Sequence, residues 1–63
     1  MKTYKLQFGK ANEISYNEIT RMQKAGDLTI NCSISQVLKR LTYTMFCDII
    51  EDLKSGISVT IEG

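Results

Sequence analysis

Four side chains able to do chemistry crowd into one short stretch: Cys47, Asp48, Glu51 and Asp52. Carboxylates serve general acid–base reactions and thiols serve nucleophilic ones, but each needs a neighbour that tunes its proton affinity. The chain has no histidine, so that work would fall to carboxylates, lysine, cysteine or tyrosine. The spacing of Asp48, Glu51 and Asp52 is that of a solvated helical face. Cys32 occupies an apolar position of an alternating segment, where a thiol behaves as a small hydrophobe. The two cysteines match no zinc spacing. Gly9, Gly26, Gly56 and Gly63 are too scattered to cradle a phosphate. These residues imply no enzyme, no metal, no cofactor and no small-molecule substrate.

Cations offer a different chemistry. Residues 1–40 carry seven basic and three acidic side chains, whereas residues 41–63 carry one basic and four acidic. Lys5, Lys10, Arg21 and Lys24 in the basic half form a candidate nucleic-acid surface. Two features weigh against it. The net charge is only +1, and no DNA-binding motif is present, because a strand rather than a short turn separates the two expected helices.

The elements that must position these groups follow from periodicity. Lys2–Phe8 alternates, with Tyr4, Leu6 and Phe8 on one side and Thr3, Lys5 and Gln7 on the other, which predicts a strand with one wet face. Gly9 and the polar run Lys10–Glu13 end it. Ser15 and Glu18 have the spacing of a capping box, and Ile14 with Ile19 that of a hydrophobic staple, so a helix is expected over Tyr16–Ala25. Gly26 is expected to close it in the left-handed conformation. Leu28, Ile30, Cys32 and Ile34 alternate with polar residues and predict a second strand. Ile57, Val59 and Ile61 predict a third, after a helix end at Ser55-Gly56.

Between them, Val37, Leu38, Leu41, Met45, Phe46, Ile49, Ile50 and Leu53 recur at three- and four-residue intervals. They predict one long helix over Ser35–Lys54, entered through Ser33 or Ser35. Its apolar arc, about 220° wide, exceeds what one small sheet can cover. The competing assignment places a strand near Lys39–Thr44 and a shorter helix from Met45, because Leu41-Thr42-Tyr43-Thr44-Met45 also alternates. Lys39 and Arg40 near the start of a long helix, with Asp48, Glu51 and Asp52 toward its end, oppose the helix dipole. An antiparallel pairing of this helix with a second copy resolves both the surplus apolar surface and the charges. Lys39 and Arg40 then meet Glu51 and Asp52 of the other copy, with Leu41, Met45 and Ile49 at the seam. Lys39, Arg40, Leu41, Met45, Ile49, Glu51 and Asp52 are therefore the expected self-association residues.

The stretch from Phe46 through Cys47, Asp48, Ile49, Ile50, Glu51, Asp52, Leu53, Lys54, Ser55, Gly56, Ile57, Ser58 and Val59 to Thr60 and Ile61 resembles the helix–glycine–strand ending of small prophage-encoded proteins of the YonK type. The resemblance covers about a quarter of the chain. It implies no activity and no functional residue. It places the chain in a phage or mobile-element context, where small proteins act by binding host proteins.

The reading is a single domain over residues 1–63 with a small α+β fold of order β-α-β-α-β. Three strands make a sheet covered on one face by a short and a long helix. At about 60 residues such a domain is marginal alone, and with two cysteines and no histidine oligomerisation is the available staple. The alternation of Met1–Lys10 is unlike a signal peptide and no apolar run reaches membrane-spanning length. A cytoplasmic, non-enzymatic, homodimeric protein-binding module is expected, a regulator or inhibitor of a host protein. The alternative is a small nucleic-acid-binding regulator.

Overall fold

Alternation does fold three segments into strands. In the computed structural model, which describes residues 1–6 and 14–63, these are β1 (Lys2–Lys5), β2 (Leu28–Asn31) and β3 (Val59–Glu62). Three helices join them: α1 (Tyr16–Ala25), α2 (Ile34–Arg40) and α3 (Tyr43–Lys54). The order is β-α-β-α-α-β, a small α+β fold. The sheet order is β1-β3-β2, and both pairings are parallel. Lys2 and Leu28 flank Val59, Thr3 and Thr29 flank Thr60, and Tyr4 and Ile30 flank Ile61. No helix among the described residues is long and apolar enough to cross a membrane.

The strands are shorter than alternation predicts. Ile34 opens α2 rather than ending β2, because Ser33 acts as an N-cap whose hydroxyl accepts the Gln36 amide at 3.2 Å. The positions of Phe8, Gly9 and Lys10–Glu13 lie outside the described residues. Helix α1 has the predicted bounds. The Glu18 carboxylate accepts from the Ser15 amide at 3.3 Å and from its hydroxyl at 3.0 Å. Ile14 and Ile19 both enter the core.

The single long helix is a correction. Residues 34–54 form two helices, with Leu41 and Thr42 extended between them. The Leu41 amide still donates to the Val37 carbonyl at 3.0 Å, ending α2, and the Thr42 hydroxyl accepts the Met45 amide at 3.2 Å, capping α3. No strand forms at Lys39–Thr44 either. The bend lets one chain hide what a rod would leave exposed: Val37, Leu41 and Ile49 are fully buried. Phe46 and Leu53 join them, and Leu38, Met45 and Ile50 pack half-buried against this core. The apolar surplus that called for a second copy is absorbed within one protomer.

The bend removes half of the charge conflict. Lys39 and Arg40 lie in the last turn of α2, where the helix dipole favours cations. Glu51 and Asp52 still stand in the last turn of α3, against its dipole.

Two glycines punctuate the helices differently. Gly56 has φ +86°, and around it the Gly56 amide donates to the Leu53 carbonyl and the Ile57 amide to that of Asp52, at 3.1 and 3.0 Å. That is the Schellman closure of α3. Gly26, expected to be left-handed, is extended at φ 173°. Its role is proximity: a Cβ there would lie 3.0 Å from the Leu53 carbonyl oxygen and 3.2 Å from the Leu53 Cβ. The end of α1 thus passes directly against α3.

Candidate interaction surfaces

Alternation in β1 sends Lys2 and Tyr4 toward the helix layer, under the last turn of α3. There the Tyr4 hydroxyl donates to the Asp52 carboxylate, and the Lys2 ammonium lies 3.3 Å from the same oxygen. The ammonium also sits 5.3 Å from the centre of the Tyr4 ring. The Tyr4 hydroxyl, and after it Lys2, hold the Asp52 carboxyl below its ordinary range against an opposing effect of burial. Burial, then the bond to Asp52, raises the Tyr4 phenol, while hydrogen bonding to Tyr4, then to Asp52, raises Lys2. A carboxylate stabilised in this way is a weak base. The cluster fastens an edge strand to a helix.

A second surface lies between α1 and α3. Arg21, Lys24 and Ala25 follow at helical spacing on α1, Ile50 and Lys54 on α3, and together they line an open cleft of about 310 Å³. That is the lower limit of the ~300–1,000 Å³ usual for ligand pockets. Ala25 and Ile50 form a half-buried floor, and the three cations are exposed at its rim. The Arg21 guanidinium lies over the Phe46 ring, 5.9 Å from its centre, which orders the group without neutralising it. Among the described residues the only ion pair is that of Lys2 with Asp52.

The third surface is the other side of the sheet. Thr3, Lys5, Thr29 and Asn31 are exposed there, around a buried Thr60. The Thr60 hydroxyl donates to the Met1 sulfur at 3.5 Å. Both edge strands, β1 and β2, keep one side unpaired among the described residues.

The residues expected to mediate self-association do not share a surface. Leu41 and Ile49 are fully buried and Met45 is half-buried. Asp52 is engaged with Lys2 and Tyr4 inside the protomer. Lys39 and Glu51 are exposed, on different helices, and Arg40 is half-buried. The paired-helix seam drawn from a straight rod is therefore withdrawn. Of the expected nucleic-acid residues, Arg21 and Lys24 meet at the cleft, Lys5 lies on the opposite side of the sheet, and Lys10 is outside the described residues. Sequence reasoning missed Lys54 as a third cation of the cleft. The signal was its spacing of four from Ile50, which puts both on one flank of α3. It also missed the Tyr4–Asp52 bond, which joins residues far apart in the chain.

Cys47 is exposed on α3 and Cys32 is half-buried beside the core, both as free thiols. Burial raises the Cys32 thiol, with Arg40 opposing, which disfavours the reactive thiolate.

No family model matches this chain, and no curated protein or solved structure matches it.

Proposed function

We propose that this chain is a small non-enzymatic protein-binding module that presents the open side of its sheet to a partner protein. The observation that carries the reading is an all-parallel sheet with one side and two edges uncovered among the described residues. Parallel sheets are almost always covered on both faces, and free edges invite pairing. Thr3, Thr29, Asn31 and Lys5 offer a flat donor and acceptor surface for a polar partner. The resemblance of residues 46–61 to small prophage-encoded proteins supports a host protein in that role. A non-enzymatic reading is supported by the lack of histidine, by the engagement of Asp52 and by the raised Cys32 thiol.

Nucleic-acid binding has one observation in its favour, the gathering of Arg21, Lys24 and Lys54 at a single cleft. The separation of Lys5 from that cleft divides the basic surface and weakens this alternative.

The test is affinity capture from lysate, with and without nuclease treatment, using wild type and a Thr3→Glu/Thr29→Glu variant. A protein captured by wild type and lost with the variant supports the reading. Capture that survives in the variant, or that vanishes on nuclease treatment, contradicts it.

A further inference from the structure

Two patches of opposite charge lie on α3. One is the cleft rimmed by Arg21, Lys24 and Lys54. The other is Asp48 and Glu51, both exposed. It runs from the outer side of the helix, where Glu51 neighbours Lys54, to the far flank at Asp48. None of these five has an ion-pair partner among the described residues. At about 100° per residue, Asp48 is turned about 200° and Glu51 about 100° from Ile50 on the cleft floor. All three lie within about 5 Å along the helix axis at 1.5 Å per residue. The acidic flank and the cleft are therefore level with each other and face different ways.

We propose that the occupant of the α1–α3 cleft is the acidic flank of a second copy of this chain. A two-fold axis running along α3 sets the cleft of each copy against Asp48 and Glu51 of the other, at the same level. Each contact is then made twice, as an isologous interface requires. Ala25 and Ile50 gain cover, and Arg21 gains a carboxylate without leaving the Phe46 ring. The molecule measures 30 × 19 × 18 Å, so one helix layer offers an interface at the small end of the range and a dimer in fast exchange. This pairing uses none of the open sheet surface. It stands or falls independently of the partner-binding reading.

The experiment is sedimentation equilibrium of the full chain over a micromolar to millimolar range, with charge reversals. One variant is Lys24→Glu/Lys54→Glu, which leaves Arg21 on its ring. The other is Asp48→Lys/Glu51→Lys. All four positions are exposed, and circular dichroism is the check that each variant is folded. Wild type is expected to dimerise, more weakly as salt rises. Each variant alone is expected to dimerise at least about tenfold more weakly, since like charges then face each other at both contacts. An equimolar mixture restores a one-to-one dimer, because both of its contacts become attractive. A charge-matched control, Lys5→Glu/Lys39→Glu, is expected to pair with the Asp48→Lys/Glu51→Lys variant far more weakly than the reversed pair does, because only one of its two contacts is attractive. A monomeric wild type, variants that dimerise as wild type does, a mixture that fails to associate, or a control that pairs equally well overturns the proposal.

Discussion

The Tyr4 hydroxyl donates to the Asp52 carboxylate across 48 positions of sequence, fastening the first strand to the last helix. The Asp52 carboxyl is held below its ordinary value. A carboxyl depressed in the folded state contributes stability above its unfolded pKa and loses it as pH falls through the folded value. The Tyr4 phenol is raised, so its contribution is present below the unfolded phenol pKa and is lost as pH rises through the folded one. Urea midpoints are expected to be level with respect to this contact from mildly acidic to mildly alkaline pH. They should decline below the carboxylate range and again in strong alkali. Tyr4→Phe should lower the neutral-pH midpoint and reduce the alkaline decline, leaving the part that the raised Lys2 contributes through Asp52. An unchanged profile in that variant would show the bond to be of no consequence.

Leu41 is fully buried where a straight helix would have placed it at a seam between copies. Leu41→Ala should cost about 2–5 kcal/mol, the loss of transfer energy plus a cavity. Denaturant unfolding measures this. A loss under about 1 kcal/mol, below the range for buried leucine, would put the side chain outside the core.

Thr42 caps α3 through the Met45 amide. Thr42→Ala should destabilise by about 0.5–2 kcal/mol, whereas Thr42→Ser should retain most of the effect because serine caps as well. Thermal melts of the pair separate a capping role from one of side-chain bulk.

Gly26 allows the end of α1 to approach the Leu53 backbone. Gly26→Ala forces the Cβ against that carbonyl and should destabilise by about 1–3 kcal/mol, although its extended φ suits any residue. A neutral or stabilising result in a denaturant titration would mean that α1 and α3 are spaced more widely.

The sequence revealed its local devices more readily than its bend. The bounds of α1 were legible because Ser15, Glu18 and Gly26 mark both ends, and the end of α3 because Gly56 must be left-handed. Residues 34–54 were misread because apolar period says which side of a helix is buried but not whether the axis continues. Leu41 fits the three-to-four spacing on either side of the break. Two signals for the break were present: Thr42 stands three residues before Met45, as an N-cap does, and Lys39-Arg40 suits a helix end. Each is weaker than eight periodic hydrophobes, and helix propensity alone does not forbid threonine. The α1–α3 cleft was half legible, since Arg21 and Lys24 share a helical flank. Lys54 joined them only through tertiary packing, as Asp52 joined Lys2 and Tyr4.

The bend at Leu41-Thr42 decides which surfaces remain for a partner, and backbone carbon chemical shifts measure it directly. The account predicts helical Cα shifts through Arg40, extended values at Leu41 and Thr42, and helical values again from Tyr43 to Lys54. Uninterrupted helical shifts from Ser35 to Lys54 would contradict it, returning Leu41 and Ile49 to an exposed seam.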